Sequence, residues 1–164
     1  MRPLFLVALL ASAAACAPRP GGGASYRDPQ GRFAAEVPGD WRVLGPEGAR
    51  LATFFAPPGA DGAPVSVSVM FYPAATPEGR DAAAFVAAHR GSGRPLGPVR
   101  DETVGARPVR RYALALTRRG GEYTEDTAVF SNERGVLVVL HDASRADADR
   151  TRAGFERVLA TLEF

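Results

Sequence analysis

His141, Asp142 and Ser144 form the densest group of chemically active side chains in the sequence. A histidine beside a carboxylate and a hydroxyl could perform acid–base catalysis or contribute to a metal site. The spacing argues against both, because adjacent residues of a strand point to opposite faces of a sheet. We expect Ser144 to cap a helix, Asp142 to lie in a solvated turn, and His141 to pack or to face water. A hydrolase built on these three residues is the alternative. The sequence predicts no catalytic residue, no metal site and no cofactor.

Other short motifs also favour a structural role. His89 follows the apolar face of a predicted helix, so we expect it in the core or at its boundary. The glycines around Ser92 do not form the Gly-x-Ser-x-Gly turn of a nucleophile elbow. The run Gly21–Gly23 follows no predicted strand and opens no helix, so it does not predict a phosphate site.

Two arginine pairs, Arg110–Arg111 and Arg118–Arg119, could contact anionic lipid headgroups. Acidic residues nearby favour a solvated rim instead: Glu122, Glu125 and Asp126. The net charge of +2 is small, so we do not expect a nucleic-acid-binding face.

The N-terminus carries the strongest functional signal. After a positive start at Arg2, an apolar run at Leu4–Leu10 leads to three small residues, Ala13–Ala15, and then to the single cysteine, Cys16. This layout is typical of a secretory signal peptide. The apolar run is shorter than the about 20 residues that span a bilayer, so we expect an exported mature chain with no spanning helix.

The sequence Ala13-Ala14-Ala15-Cys16 resembles the lipobox of bacterial lipoproteins, with Ala13 where that family usually has leucine. The resemblance implies cleavage before Cys16, a diacylglyceryl thioether on its sulfur and an acylated new amine. The alternative is ordinary cleavage after Ala15, which leaves a free thiol. Ala17 after the cysteine resembles the outer-membrane sorting pattern, so we expect a periplasm-facing lipoprotein on the outer rather than the inner membrane.

The domain boundaries follow from composition. Residues 1–15 are the predicted signal peptide, and residues 16–25, rich in Pro and Gly, are the predicted lipidated tether. Residues 26–164 then form one domain, because 164 residues with 46% hydrophobic content suit a single globular core.

Hydrophobic patterning predicts strands and two helices in this domain. The alternation at Val65–Tyr72 predicts a strand, and a helix begins between Thr76 and Asp81 and ends at Gly91. Val136–Leu140 is apolar on both faces, which indicates a central, covered strand. Polar Tyr123–Phe130 indicates an edge or half-exposed strand. Ser144, followed by an acidic third residue, predicts the cap of a C-terminal helix that buries Phe155, Val158 and Leu159.

The opening of the domain is similar to that of the PsbP-like family. Tyr26, a polar turn, Phe33 and a strand ending in Pro38-x-x-Trp41 match its pattern, and Phe155–Phe164 resembles its last helix and short final strand. The resemblance implies an α+β fold, an α-β-α sandwich around an antiparallel sheet, with no catalytic set. Plant members carry a long N-terminal binding segment that this sequence replaces with the tether, so their photosystem role is not expected here.

These patterns together predict an exported, lipid-anchored, non-catalytic interaction or assembly module with a protein partner. The alternative is a periplasmic domain that binds a small ligand in a pocket between sheet and helix. Aromatic side chains would line that pocket: Trp41, Phe54, Tyr72 and Tyr112.

Overall fold

A computed structural model describes residues 23–59, 62–118 and 121–164 of the chain. The predicted signal peptide, Cys16 and the tether as far as residue 22 lie outside these residues. The elements in order are β1 (Gly23–Arg27), β2 (Ala34–Pro38), β3 (Arg42–Leu44), β4 (Arg50–Phe55), β5 (Ser66–Pro73), α1 (Ala82–His89), a 3₁₀ turn (Arg90–Ser92), β6 (Arg94–Pro95), β7 (Arg100–Val104), β8 (Arg107–Arg118), β9 (Gly121–Asn132), β10 (Gly135–Ser144) and α2 (Ala148–Thr161).

The main sheet is antiparallel throughout the described ranges. Its strands lie in the order β3-β4-β5-β10-β9-β8-β6, and β7 also pairs with β8. β1 and β2 form a separate hairpin beside α2, where the Glu36 N–H donates to the Thr161 hydroxyl (2.8 Å). Helix α1 packs on one face of the main sheet, and α2 with the hairpin packs on the other. This is the predicted α+β architecture, a sandwich around an antiparallel sheet.

Strand β10 lies in the middle of the sheet, as its two-sided apolar pattern predicts. It pairs with β5 on one side and β9 on the other. Leu137 and Val139 join the core under α2, whereas Val136 and Val138 join the core under α1. Because every second residue enters a different core, this one strand connects both halves of the molecule.

The expectation that Tyr123–Phe130 forms an edge strand is wrong, and half-exposure holds only for its first three residues, 123–125. These residues belong to β9, which lies between β10 and β8, and Thr127, Val129 and Phe130 are buried. Its polar residues fit the interior because they face polar residues across the strand pairs, such as Asp126 opposite His141. Composition alone therefore misplaced the strand.

Helix α1 follows the predicted limits. The Asp81 side chain caps it by accepting a hydrogen bond from the Ala84 N–H (2.8 Å), and the helix ends at His89 before the glycines at 91 and 93. With eight residues it is about 12 Å long. It packs through Phe85 and Val86 against β8, β9 and β10, so it covers only one end of its face of the sheet.

Helix α2 buries Phe155, Val158 and Leu159 as predicted, but it starts later than expected. Its N-cap is Asp147, and Ser144 is the last residue of β10. The Ser144 hydroxyl lies 3.3 Å from the Asp147 carboxylate and donates to it instead of capping the helix. The strand extends to residue 144 because its pairing with Tyr123 of β9 continues to that point.

The domain also begins earlier than the predicted boundary at Tyr26. Gly23, Ala24 and Ser25 pair with Pro38, Val37 and Glu36, so these three residues of the predicted tether belong to β1. Backbone pairing needs no apolar side chain, which explains why composition did not reveal it.

Candidate functional site

The register of β9 and β10 places two polar pairs back to back. Asp126 lies opposite His141, and Glu125 lies opposite Asp142. Because successive strand residues alternate between faces, the first pair lies under α2 and the second lies on the α1 face. The sheet therefore separates His141 from Asp142.

The first group, the His141 cluster, comprises Asp126, His141, Thr151 and Arg152. His141 is fully buried, and its ring stacks on Phe155 with centroids 5.3 Å apart. Its Nε2 lies 2.8 Å from the Thr151 hydroxyl. Its Nδ1 lies 3.8 Å from Asp126 Oδ2, and Arg152 reaches the same oxygen at 3.4 Å. His141 thus packs, as the sequence predicts, and connects β9 to α2.

Asp126 is held in its charged form. Burial raises the pKa of this carboxyl, but attraction to His141, Arg152 and Arg111 outweighs the effect and leaves the pKa below its usual value. Arg111 is itself fixed by two hydrogen bonds to Glu156 (3.2 and 2.6 Å). The charges of this cluster therefore stabilise the packing of α2 on the sheet.

The His141 cluster has the residue types of a hydroxyl–histidine–carboxylate triad, but its hydroxyl is closed off. Thr151 is 3% exposed, and its hydroxyl also lies 3.0 Å from the Asp147 carbonyl of the first helical turn. A nucleophile must reach its substrate. The alternative hydrolase of His141, Asp142 and Ser144 is excluded as well, because those residues are on different faces and Ser144 contacts Asp147.

The second group lies in an open depression on the α1 face, beyond the end of α1. Arg118 donates a hydrogen bond to Asp142 and lies 3.8 Å from a carboxylate oxygen of Glu125. The depression has a volume of about 340 Å³. Hydroxyl-bearing and apolar side chains line much of the rest: Thr53, Ser66, Ser68, Leu44, Phe55 and Leu140. We call it the carboxylate groove.

Charged residues of both signs line the carboxylate groove. Glu47, Glu125 and Asp142 lie there with Arg50 and Arg118, and the guanidinium of Arg42 lies 5.2 Å over the ring of Phe55. Burial and the nearby charge of Asp142 raise the pKa of Glu125, and the positive charges of Arg118 and His89 only partly offset this. A carboxyl with a raised pKa in a cleft is a typical feature of a functional site.

The predicted aromatic pocket is not assembled. Trp41 lies on the α2 face against Gly154, and Phe54 is fully buried in the core on that same side. Tyr72 and Tyr112 belong to the core under α1. The structure places the four aromatic residues on two opposite faces of the sheet, so they do not surround one ligand.

Tyr112 is 4% exposed, and burial raises the pKa of its phenol to about 12. Tyr72 packs against Phe85, with ring centroids 5.1 Å apart, and burial raises its pKa as well. His89 stacks on the same Phe85 ring at 4.0 Å, which places it at the core boundary as predicted. These residues fix α1 to the sheet.

Of the paired arginines, Arg110 binds Asp101 (2.8 Å), Arg111 binds Glu156, and Arg118 binds Asp142. Arg119 lies outside the described residues.

Within residues 23–59, 62–118 and 121–164, no three His, Cys, Asp or Glu side chains lie close enough together to hold a metal ion. The longest helix of these ranges, α2, has 14 residues, so none is a candidate membrane span.

Comparison with solved structures that have the same arrangement of elements identifies the fold. CyanoP, the PsbP protein of the cyanobacterium Synechocystis, aligns with 94% of this chain and 98% of its own at 15% identity and a TM-score of 0.54. The chain has the PsbP-like fold. LpqN of Mycobacterium tuberculosis, described as involved in cell envelope biogenesis, aligns with 86% of this chain and 89% of its own (13% identity, TM-score 0.60).

Two further structures share the PsbP-like fold. A Pseudomonas aeruginosa protein of unknown function, described as a putative regulator, aligns with 88% of this chain and 98% of its own at 15% identity and a TM-score of 0.57. A Bacteroides thetaiotaomicron protein aligns with 86% of this chain at 16% identity and a TM-score of 0.63, and the aligned region is 48% of that protein. At these identities the likeness shows the fold alone. No protein-family model and no curated protein matches the sequence of this PsbP-like chain.

The residues that sequence reasoning missed are the cross-strand partners. Asp126 and Thr151 contact His141, and Glu125 lies opposite Asp142, whereas the sequence predicts a solvated rim for the two acidic residues of β9 and a solvated turn for Asp142. The register of β9 and β10 would have revealed these pairs, but a polar strand gives no hydrophobic signal from which to read it.

Proposed function

We propose that the chain is a cell-envelope protein, lipid-anchored at Cys16, whose PsbP-like domain acts as a non-catalytic interaction or assembly module for a protein partner. The observation that carries this proposal is the position of the only cysteine, directly after the small residues Ala13–Ala15 and a short apolar run. Lipid at Cys16 also gives a role to a lone thiol that would otherwise be reactive outside the cell.

The fold neighbours support an envelope location. LpqN, which shares the fold, is described as involved in cell envelope biogenesis. None of the four neighbour descriptions names a catalytic activity. Together with the leader-like N-terminus, they support a cell-envelope protein that acts by binding, and Ala17 after the cysteine is the basis for placing it on the outer membrane, facing the periplasm.

Lipid labelling tests the anchor. The full chain is expressed in a Gram-negative host with labelled palmitate, alongside the Cys16→Ser variant and an Ala17→Ser control. We expect label and membrane association in the wild type and the control and loss of both in Cys16→Ser. Equal labelling of all three proteins, or wild type recovered unlabelled in the soluble periplasm, would contradict the proposal.

The carboxylate groove favours a second candidate function, small-ligand binding. It is a preformed depression whose two paired carboxylates, Glu125 and Asp142, lie beside hydroxyl groups and apolar walls. Ligand-dependent thermal shifts of the wild type across a small-molecule panel test this function. A shift that Glu125→Gln removes supports it, and a panel without any shift leaves the protein-partner function.

A further inference from the structure

We propose that the Thr151 hydroxyl is a hydrogen-bond switch that lets His141 gain or lose a proton inside the core while helix α2 stays docked. The hydroxyl donates to Nε2 of the neutral ring, and it turns to the Asp147 carbonyl when the ring is charged. This property is independent of the proposed interaction function and of the lipid anchor.

The contact between His141 and Asp126 fixes a proton on Nδ1. Nδ1 of His141 and Oδ2 of Asp126 lie 3.8 Å apart, and both atoms are buried with no hydrogen-bond partner among the described residues. Without a proton on Nδ1, two buried acceptors would face each other, which is costly. A proton there is directed at the carboxylate and favours the closer approach that a hydrogen bond needs. Nδ1 is therefore protonated in both charge states of the ring.

The other ring nitrogen of His141 faces a group that can either donate or accept. Nε2 lies 2.8 Å from the Thr151 hydroxyl, which also lies 3.0 Å from the Asp147 carbonyl oxygen. A hydroxyl has one hydrogen and two lone pairs, so it donates to one of these neighbours at a time. The neutral ring needs a donor at Nε2, whereas the charged ring needs an acceptor there. Rotation of one O–H bond meets both needs without moving a heavy atom.

The Asp147 carbonyl can gain or lose the hydroxyl at little cost. It already accepts the helical hydrogen bond from the Thr151 backbone N–H at 3.2 Å, so it is paired in both states. A carbonyl oxygen has a second lone pair that can accept the hydroxyl as well. The Asp147 carboxylate is engaged separately, by Arg150 at 2.8 Å and by Ser144. Neither charge state of His141 therefore leaves a ring nitrogen without a partner.

Charged groups of both signs surround the buried ring. Asp126 on β9 is ionised, because its pKa is lowered, and it attracts a positive ring. Arg152 on α2 lies 3.4 Å from the same Asp126 oxygen and opposes that charge, and Arg111 on β8 is offset by its partner Glu156. Strand β5 contributes only apolar Val67 opposite the histidine. Because attraction and repulsion compete here, the hydrogen bond at Nε2 decides how well the charged ring is tolerated.

The pH dependence of stability in variants of Thr151 tests the switch between pH 8 and pH 5, a range that spans ordinary histidine titration. Thr151→Val keeps the shape of the side chain but removes the acceptor for Nε2–H of charged His141. Its equilibrium constant for urea unfolding, divided by that of the wild type, should therefore rise about tenfold from pH 8 to pH 5. Thr151→Ser keeps the hydroxyl, so its ratio should not change with pH. His89, the other histidine, is present in every protein and cancels in these ratios.

Nitrogen-15 NMR of the wild type gives a second readout that does not depend on a variant folding. At pH 8 His141 should show a protonated Nδ1 and an unprotonated Nε2, and at pH 5 both nitrogens should be protonated. A protonated Nε2 at pH 8, or a ring that stays neutral at pH 5, overturns the proposal. A valine ratio that is constant with pH also overturns it, as does a serine ratio that changes as much as the valine ratio. If Thr151→Val does not fold, the NMR spectra decide.

Discussion

Glu125 and Asp126 are consecutive residues of β9 whose carboxyl groups lie on opposite faces of the sheet and whose pKa values move in opposite directions. Burial raises the pKa of both. On the α2 face, attraction to His141, Arg152 and Arg111 outweighs burial and lowers the pKa of Asp126. On the α1 face, the charge of Asp142 adds to burial and raises the pKa of Glu125 further. In β9, a carboxyl whose ionisation stabilises the folded protein therefore lies beside one whose ionisation destabilises it. Substitutions at the two positions should change the stability in opposite directions.

Asp126→Asn should destabilise the protein at neutral pH by about 1–3 kcal/mol, because His141 and Arg152 lose a charged partner in a buried setting. Since the pKa of Asp126 is lowered by folding, its ionised form contributes stability above its unfolded value of about 4. That contribution is lost as the pH falls through the folded pKa. Denaturant unfolding at several pH values should show the gap between variant and wild type closing in acid. A gap that is constant with pH would contradict the assignment.

Glu125→Gln should have the opposite sign. Because folding raises the pKa of Glu125, ionisation of this carboxyl costs stability as the pH rises from the unfolded value through the folded one. Glutamine removes that cost, so the melting temperature should exceed that of the wild type at pH 7 and match it near pH 4. Lower stability at pH 7 would mean that the contact with Arg118 outweighs burial and the repulsion from Asp142.

Phe155→Ala should destabilise the protein by about 3–5 kcal/mol, because the side chain is fully buried and supports both the stacked ring of His141 and the guanidinium of Arg111. Ala153→Ser, at an exposed position of the same helix, is the control and should change stability by less than about 0.5 kcal/mol. If thermal melts of Phe155→Ala and the control coincide with the wild type, α2 is not docked as described.

Gly154→Ala tests the packing of Trp41 on α2. A methyl group at position 154 would lie 2.5 Å from Trp41 Cζ2, so alanine should destabilise by about 1–3 kcal/mol although it favours helix formation. In a Trp41→Leu background the same change should be neutral or stabilising. A double-mutant cycle by denaturant unfolding measures the difference, and a stabilising Gly154→Ala in the wild type would show that the indole lies elsewhere.

Tyr112 should ionise well above the ordinary range of a phenol, because burial raises its pKa to about 12. Ultraviolet titration of phenolate should show a late component, and Tyr112→Phe should remove that component alone. Its loss in Tyr72→Phe instead would reverse the assignment, since Tyr72 shares the same core.

The sequence predicts the elements that carry a clear hydrophobic pattern. The alternation at Val65–Tyr72, the two-sided apolar run at Val136–Leu140 and the start of α1 after Asp81 all appear as predicted. Each of these patterns reflects which side chains contact solvent and which are buried, and a single sequence contains that information.

The sequence does not predict the features that depend on register. The position of β9 is not predicted because its acidic residues lie opposite polar partners on β10, with Asp126 facing His141 and Glu125 close to Arg118. The N-cap of α2 is Asp147 and not the predicted Ser144, because β10 continues its pairing beyond the apolar run. The two polar groups are properties of strand pairing, so one strand read alone cannot reveal them.

The start of β1 at Gly23 also limits how far the folded domain could lie from a bilayer that held an acyl group on Cys16. From Cys16 to Gly23 a fully extended chain spans at most about 25 Å. β1 and β2 are fastened to α2 by Arg157, which binds Glu36 at 2.9 Å. An acyl group on Cys16 would keep the hairpin and α2 close to the lipid headgroups. The carboxylate groove, on the opposite face of the sheet, would then point away from the membrane and remain accessible to soluble molecules.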